Sequence, residues 1–297
     1  MTIHNLGGSW TEQKLNCVKG YAEAWVKVME SIKARGFIDS YIYIDAFSGT
    51  GKYQHNAQPN VENDDFFDTP EEKETLRKGS AQIALEISPK FDKIHLIELK
   101  PEFARELKNN LEKSEEHRVD IHQADANEAL IEICGGLGPR QRALIFIDPY
   151  GCEVDWQTLE RIAESKVADV WYLAPSGGIN RQLSKKPSEI ENYKRARLNR
   201  ALGTEDWLSH FYEEETYPDL FGNRNHSRSA GASAVEQFYI ERLRTIFSYV
   251  HPECLQLKNS KNGHMFSLCF AVSNDSKPAQ DAAKRIAGHV IKKWSNR

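Results

Sequence analysis

Four acidic residues each stand at or just after the end of a predicted strand, and this spacing could bring their carboxylates together. Asp45 follows YIYI, Glu98 ends the stretch IHLIE, Asp125 comes just after Val119–Gln123, and Asp148 follows ALIFI. The apolar stretches predict strands of a parallel sheet, whose carboxyl ends meet at one edge. Open α/β sheets bind ligands at that edge, and carboxylates there can accept hydrogen bonds from a nucleotide-like ligand.

The turn after the first strand decides which ligand fits. A phosphate-binding P-loop would need Gly in place of Ala46 and Ser or Thr in place of Tyr53, and a dinucleotide fingerprint would need Gly in place of Gln54. The pattern that does fit is D-x-F-x-G-x-G, which resembles the first motif of class I S-adenosylmethionine (SAM) methyltransferases. Its members here are Asp45, Phe47, Gly49 and Gly51. An ordinary strand-to-turn junction is the alternative.

A second motif, Asp148-Pro149-Tyr150, follows the most apolar strand. It is similar to the D/N-P-P-Y/F motif of N-methyltransferases, although the second proline is absent. The lone pair of an exocyclic base amine is delocalised into the ring, and a carboxylate and a backbone carbonyl can hold the amine so that the nitrogen becomes tetrahedral. An aromatic ring beside them can stack on the base. The alternative is a turn with a helix-capping aspartate. Cys152 could be proposed as a nucleophile, but the Pro-Cys pair of cytosine C5 chemistry is missing.

The remaining elements suit an α/β sheet. A capping box, Ser9 to Glu12, and an apolar stripe predict an N-terminal helix over 9–36. Glu98 is positioned to bind ribose hydroxyls, whereas Asp125 could bind an adenine amino group or cap the helix from Asn127. The predicted fold is Rossmann-like: a class I methyltransferase fold with a mostly parallel seven-stranded sheet, helices on both faces and a C-terminal antiparallel hairpin.

The chain is predicted to form a single domain, 1–297, with three elaborations. Residues 52–78 are an acidic insertion without periodicity, read as a surface excursion or a lid. Residues 181–247 are helical and partly basic, and 249–272 form the closing hairpin. The basic stretch either contacts substrate phosphates or is a solvated helix face. Its candidate phosphate contacts are Arg181, Lys185, Lys186, Arg195 and Arg197.

The composition limits which classes of partner the chain can bind. The 297-residue chain has a formal net charge of −4, so a nucleic-acid partner would have to meet a local basic patch. Its five cysteines include no C-x-x-C pair, which argues against a zinc or iron–sulfur site and favours free thiols in the cytoplasm. No apolar run is long enough to span a bilayer, so no membrane partner is expected. The predicted chemistry requires no metal.

Together these motifs resemble two families. Their order is similar to that of the RlmJ-type ribosomal RNA adenine-N6 methyltransferases, and nearly the whole chain resembles the three-Cys-motif partner proteins (TcmP). The matching segments are W-T-x-x-K-L from Trp10, IDAFSGTG, GSAQIAL, FIDPYG, Asn180-Arg181 and FSLCFAV. Phe47 and Gly151 depart from the RlmJ pattern, which has histidine and an acid at these places.

The resemblance implies a role for each matched residue. Asp45, Ser80, Glu98 and Asp125 would line a SAM site, and Lys14 would bind the cofactor carboxylate. Asp148, Pro149 and Tyr150 would hold the target amine. A second protein with a three-cysteine motif would be a partner.

Three functions follow as hypotheses. The first is a SAM-dependent N-methyltransferase acting on a base of nucleic acid, with RNA ahead of DNA. The second is a methyltransferase-like, SAM-binding partner subunit without catalysis of its own, which the missing second proline favours. The third is a small-molecule methyltransferase, which the acidic net charge and the insertion favour.

Overall fold

The structure is a computed structural model, and it describes residues 4–5, 9–58, 71–214, 226–228 and 231–295. Its strands are β1 (His4–Asn5), β2 (Ser40–Asp45), β3 (Lys52–Gln58), β4 (Glu71–Lys78), β5 (Lys93–Ile97), β6 (Val119–His122), β7 (Gln141–Ile147), β8 (Ala168–Ala174), β9 (Tyr212–Glu214), β10 (His226–Arg228), β11 (Tyr249–Val250), β12 (Leu255–Lys258) and β13 (His264–Val272). Its helices are α1 (Ser9–Ala34), α2 (Ser80–Glu86), α3 (Pro101–Asn110), α4 (Ala126–Gly135), α5 (Trp156–Glu164), α6 (Ser176–Gln182), α7 (Asn192–Leu202), α8 (Trp207–Phe211), α9 (Ala232–Arg244) and α10 (Lys277–Ser295).

The main sheet has the strand order β6-β5-β2-β7-β8-β13, and β11 and β12 both pair with the free edge of β13. The first five strands are parallel, and β13 is antiparallel to β8. A parallel sheet that closes on one antiparallel strand, with helices between successive strands, is the Rossmann-like class I methyltransferase fold. The predicted fold class is therefore confirmed, although the sheet has eight strands instead of the predicted seven because the first strand of the closing hairpin is divided.

Two apolar layers cover the two faces of this sheet. One layer contains buried side chains of α1, α2, α3 and α10, and the other contains buried side chains of α4 to α9. The central strands β2 and β7 are buried on both faces, which explains their continuous apolar runs. Because both faces are covered, a ligand can approach these strands only from their ends.

Helix α1 is fixed to the sheet by a buried carboxylate. Asp169 on β8 accepts hydrogen bonds from the Tyr21 hydroxyl at 2.6 Å and from the Trp25 indole N–H at 2.7 Å, both through Oδ2. Burial raises the pKa of Asp169 to about 6. As predicted, α1 starts at Ser9, and Gly36 follows its end with a positive φ of 75°. These contacts fix the middle of α1 on the sheet.

The insertion at 52–78 is more regular than predicted. Strands β3 and β4 pair as an antiparallel hairpin, and β1 adds to β3 to give a small three-stranded sheet. The expectation of an excursion without regular structure was wrong, because cross-strand backbone hydrogen bonds can form without an alternating apolar pattern. Residues 59–70 lie outside the described residues, and whether the hairpin is a lid stays a prediction.

The closing hairpin is interrupted. The strand predicted at 249–257 is split into β11 and β12 around His251-Pro252-Glu253, because proline has no N–H to donate to the ladder. The prediction that all cysteines are free thiols was also wrong. Cys254, just before β12, and Cys269 on β13 have Cα atoms 4.6 Å apart and form a disulfide, while Cys17, Cys134 and Cys152 are buried free thiols.

No helix among the described residues is long and apolar enough to cross a membrane. The division of the chain into one domain stays a prediction.

Candidate functional site

Asp45 is the most deeply buried acid at the strand edge. It ends β2, is 0% exposed, and accepts a hydrogen bond from the Phe47 N–H at 3.2 Å through Oδ1. Its Oδ2 has no hydrogen-bond partner within the described part of the chain. Burial raises the pKa of Asp45 to about 7. The Asp148 charge adds to this rise, and the Ser80 hydroxyl, the Phe47 N–H and the Lys14 charge oppose it. A buried carboxylate oxygen without a donor is suited to receive one from a ligand.

The glycine turn after β2 leaves little room for side chains. Gly49 and Gly51 have positive φ values of 55° and 76°. The Gly79 N–H donates to the Gly51 carbonyl oxygen at 2.9 Å, and a Cβ added to Gly79 would lie 3.0 Å from the same oxygen. Ser80 begins α2 immediately afterwards. The two segments that the sequence connected only by resemblance therefore touch at Gly51 and Gly79.

Glu98 follows β5 and holds the glycine turn. Its carboxylate accepts hydrogen bonds from the Gly49 N–H at 3.0 Å and the Lys100 N–H at 2.8 Å, and burial raises its pKa. Each carboxylate oxygen can accept a further hydrogen bond, so a ribose hydroxyl can still be bound. The next residue, Leu99, is 62% exposed and presents an apolar side chain beside this carboxylate. Sequence reasoning missed Leu99, since one exposed leucine is ordinary until its neighbour has a role.

Asp125 caps helix α4. Its Oδ1 accepts hydrogen bonds from the Asn127 N–H at 2.8 Å and the Glu128 N–H at 3.4 Å. This is the capping role that the sequence left open beside an adenine contact. The cap uses Oδ1 only, so the side chain can cap the helix and also accept from a ligand through Oδ2.

Lys14 and Asp148 form an ion pair at the same edge. Lys14 Nζ lies 2.7 Å from Oδ1 and 2.6 Å from Oδ2 of Asp148. The side chains are 6% and 20% exposed, so the pair is shielded from water. The ammonium also lies 5.1 Å from the centre of the Trp10 ring, a cation–π contact. The predicted cofactor lysine is therefore paired with the predicted catalytic aspartate.

The turn after Asp148 presents an aromatic ring. Tyr150 is 37% exposed, and its backbone N–H donates to Glu153 at 3.0 Å. Burial of the hydroxyl and the charges of Asp148, Glu98 and Glu153 raise the pKa of Tyr150. The ring therefore stands among the carboxylates that end β5 and β7. Cys152 is buried, and burial raises the pKa of its thiol to about 11, which opposes a nucleophilic role.

The basic stretch lies on α6, on α7 and between them, and its residues differ in exposure. Arg181, Lys185 and Lys186 are exposed, while Arg195 and Arg197 are half-buried. Burial raises the pKa of the Cys152 thiol, and the nearby positive charge of Arg197 opposes part of this rise. One end of the basic stretch therefore lies beside the loop that follows Asp148.

A polar network behind α6 was missed by sequence reasoning. His264 Nε2 lies 2.9 Å from Ser176 Oγ and 2.8 Å from Ser267 Oγ, and Ser267 donates to Glu236 at 2.5 Å. The residue types are those of a Ser-His-acid triad, but both serines are fully buried, and the glutamate lies on the same ring nitrogen as the serines. The network therefore joins β13 to α6 and α9 rather than forming a nucleophile. A Cβ on Gly177 would overlap the His264 carbonyl oxygen, so α6 also packs directly on β13.

A cavity of about 470 Å³ lies elsewhere, between the start of α1, α9, β12 and the end of α10. Gln13, Glu236, Gln256 and Lys258 are among its lining residues, and none of the predicted site residues lines it. The candidate site is thus the edge where the parallel strands end rather than this cavity.

The residues at this edge fit SAM. The unpartnered Oδ2 of Asp45 suits the cofactor's positively charged amino group. The glycines of the turn carry no side chains, so a ligand can approach the backbone closely. Glu98 and Leu99 offer a carboxylate and an apolar surface for a nucleoside. This set of hydrogen-bond acceptors and apolar surface is therefore compatible with a cationic nucleoside.

Comparison with known proteins gives distant structural similarity. No protein-family model matches the chain, and no curated protein matches it. The protein LPL1258 from Legionella pneumophila, of family DUF519, has a TM-score of 0.45 at 14% identity, over 95% of this chain and 92% of that chain. A putative S-adenosylmethionine-dependent methyltransferase from Listeria monocytogenes scores 0.38 at 8% identity, over 80% and 92%. The putative methyltransferase yhhF from Escherichia coli scores 0.28 at 12% identity, over 68% and 83%. Similarity at this level leaves the function to be argued from the site.

Proposed function

We propose that this protein is a SAM-dependent N-methyltransferase that acts on an exocyclic amine of a nucleic-acid base, with RNA ahead of DNA as substrate. The observation that carries the proposal is the proximity of Asp45, Lys14 and Asp148. Asp45 pairs with Phe146 in the parallel register of β2 and β7, so the two aspartates lie at neighbouring strand ends. Asp148 and Lys14 both act on the pKa of Asp45. The acid suited to the cofactor and the acid suited to the amine therefore share one site.

SAM, when bound, supplies a methyl group on a positively charged sulfur. Asp45 would hold its amino group, Glu98 the ribose hydroxyls, Asp125 the adenine amine and Lys14 the carboxylate. In the present structure Lys14 occupies both oxygens of Asp148. A shift of Lys14 towards the cofactor carboxylate would free Asp148 to accept from the target amine. Cofactor binding and preparation of the amine acceptor would then be one event.

The chain's own groups would position the amine. Asp148 accepts one N–H and a backbone carbonyl of the turn accepts the other, which keeps the nitrogen lone pair directed at the methyl group. Pro149 offers no competing N–H, and the Tyr150 ring stacks on the base. The proton that the amine loses after transfer can pass to Asp148 and then to water. A base within a duplex would have to be flipped out to reach this edge.

Nucleic acid is favoured over a small molecule by the position of the basic stretch. Arg197 lies close enough to the Cys152 thiol to lower its pKa, and Lys185 and Lys186 are exposed on the same segment. These cations could bind the phosphates that flank a base held at Tyr150. The formal net charge of −4 requires such a local patch.

The deciding experiment measures cofactor binding and methyl transfer separately. Calorimetric titration with SAM is expected to show micromolar binding that Asp45→Ala abolishes. Radiolabelled SAM is then offered with RNA, DNA and a low-molecular-weight fraction. Asp148→Ala should abolish transfer and leave SAM binding within a few fold. Asp39→Ala, which removes an exposed aspartate just before the opposite end of β2, is the matched control. Wild-type transfer rates in Asp148→Ala would overturn the assignment, and transfer only to the low-molecular-weight fraction would overturn the substrate class.

A second candidate is a SAM-binding subunit that requires a partner carrying a three-cysteine motif. The specific observation in its favour is that Lys14 already neutralises Asp148, which suits a site that stays inactive until a partner binds. Transfer that appears only when such a partner is added would support this candidate. Equal rates with and without the partner would contradict it.

A further inference from the structure

Three side chains of metal-ligand type project from one face of the sheet on β5 and β6, the strands that lead into Glu98 and Asp125. In the parallel pairing of β5 and β6, His95 lies opposite Asp120 and Ile97 lies opposite His122. Alternate residues of a strand point to the same face, so His95, Asp120 and His122 share one face. Their potential ligand atoms all lie within 4.8 Å of one another, and all three residues are partly buried. No other such group exists within the described part of the chain.

The two imidazoles face each other through their ring nitrogens. His95 Nδ1 lies 2.9 Å from His122 Nε2, and the ring centroids are 5.2 Å apart. Zinc at its usual distance of about 2.0–2.1 Å from each nitrogen would separate the two by roughly 3.3 Å in a tetrahedral site. The rings would need to open by only about 0.4 Å, which a small side-chain rotation provides.

Asp120 is oriented to complete the group. Its Oδ1 accepts from Lys93 Nζ at 2.8 Å, and its Oδ2 lies 3.8 Å from His95 Nδ1. One oxygen is thus held by a cation on β5 while the other faces the imidazoles. A partner that fixes the orientation of a ligand in this way is a regular feature of metal sites.

We propose that His95, Asp120 and His122 form a binding site for a divalent transition metal of the zinc class. Two imidazoles and one carboxylate suit zinc, with a water molecule as fourth ligand. The metal would join the edge strand β6 to β5, the strands that lead into Asp125 and Glu98. We assign the metal this joining of β6 to β5 and no step in methyl transfer. Sequence analysis expected no metal because methyl transfer requires none and the chain has no C-x-x-C pair. His95 is far from Asp120 and His122 in sequence and is brought to them only by strand pairing.

The test uses the purified, tag-free chain, stripped with chelator and titrated with Zn²⁺ in a calorimeter. One equivalent should bind with a micromolar or lower Kd, and His95→Asn and His122→Asn should each weaken binding at least tenfold. His289→Asn removes an exposed histidine on α10 and is the matched control, with unchanged affinity expected. Zinc should also raise the thermal midpoint of the wild type but not of the His122→Asn protein.

A second measurement is spectroscopic. Co²⁺ in the same site should give the strong visible absorption of a four-coordinate ion, and Zn²⁺ should displace it. The absence of these bands in the wild type, or equal Zn²⁺ affinity in the wild type and a His95→Asn/His122→Asn protein, would overturn the proposal. SAM binding is measured in parallel, and its loss or retention bears only on the proposed function.

Discussion

Lys14 Nζ lies 2.7 Å and 2.6 Å from the two carboxylate oxygens of Asp148. A lysine on α1, before the main sheet in the sequence, therefore neutralises the acid that follows β7. The pair joins residues 134 positions apart. It also ties the two proposed tasks together, because the same lysine is the candidate for the cofactor carboxylate. The stability and the activity of the site should both depend on it.

Breaking this pair should destabilise the protein. Lys14→Met leaves the Asp148 charge unpaired beside Asp45, and we expect a loss of about 1–3 kcal/mol in the free energy of unfolding. The Lys14→Met/Asp148→Asn protein should be more stable than Lys14→Met alone. Urea unfolding of the wild type, the two single variants and the double variant measures the coupling free energy between Lys14 and Asp148. Asp39→Asn, which breaks the exposed pair with Arg140, should leave the midpoint unchanged. Additive effects of the two changes would contradict a direct Lys14–Asp148 interaction.

SAM binding should depend on pH through Asp45. Its pKa is about 7 in the folded protein against an ordinary value of 3.8, with Asp148 and Lys14 as the charged neighbours. A cationic ligand favours the ionised form, so affinity should rise up to about tenfold per pH unit below pH 7 and then level off. The Kd measured from pH 5.5 to 7.5 tests this, and a flat profile would contradict it.

The Asp45 carboxyl should give the folding stability a pH dependence opposite to that of SAM binding. Because the folded protein binds the Asp45 proton more tightly than the unfolded chain, stability should fall as pH rises from about 4 to 7. Asp169, with a pKa of about 6, adds to the fall. Asp45→Asn should remove only the Asp45 part and raise the thermal midpoint at pH 8 by a few degrees, while abolishing SAM binding. A midpoint lowered by this change would show that ionised Asp45 stabilises the fold.

Binding of RNA should become less dependent on salt when the basic stretch is neutralised. Each phosphate contact contributes about 0.7 to the slope of log K against log salt for single strands, so Lys185→Ala/Lys186→Ala should reduce the slope by roughly 1.4. Lys27→Ala/Arg35→Ala, on α1 and just after it, removes equal charge as the control. Equal salt slopes for the two variants would show that the RNA phosphates do not contact Lys185 and Lys186.

Two glycine substitutions should have opposite effects. Gly51→Ala requires a strained φ of 76° and places a Cβ 2.9 Å from Leu107 Cδ1, so we expect about 1–2 kcal/mol of destabilisation and weaker SAM binding. Gly135→Ala, at the end of α4 with open space around it, should stabilise by up to about 1 kcal/mol and leave SAM binding unchanged. Thermal unfolding and calorimetry measure both. Unchanged SAM affinity in Gly51→Ala would argue against the turn as the cofactor site.

Cys152→Ala should retain methyl transfer. The thiol is buried and its pKa of about 11 leaves very little thiolate at neutral pH. The transfer rate and the rate of alkylation of the folded protein check this. Loss of transfer together with rapid alkylation of the wild type would restore the nucleophile hypothesis.

The sequence predicted what depends on local pattern. Apolar runs ending in Asp45, Glu98 and Asp148 are visible because strands buried on both faces must be apolar throughout, and their order then fixes the edge that the acids share. Partners that meet only through the fold were not predictable. The lysine that pairs with Asp148 and the disulfide partner of Cys254 are set by helix docking and by strand register.

Regions with weak patterns were predicted least well. The strands at 52–58 and 71–78 lack apolar alternation, so their pairing was not visible in the sequence. The break at Pro252 was missed because the residues on both sides read as one strand. At Asp125 the local sequence allowed both a cap and a ligand contact, and it could not show that the cap would use a single oxygen.

The packing of α1 against α10 has a consequence for how the site is assembled during synthesis. Gln13, next to Lys14, donates to the carbonyl oxygen of Trp294 at 2.5 Å across 281 residues, and Val290 packs 3.4 Å from where a Cβ on Gly20 would lie. Contacts between such distant segments form late, because the intervening chain must be ordered first. Lys14 leaves the ribosome early, but the part of α1 that carries it gains its contact with α10 only after residues 277–295 have emerged. During synthesis, the glycine turn at 49–51 should therefore form well before the site at Asp148 that would bind the target amine.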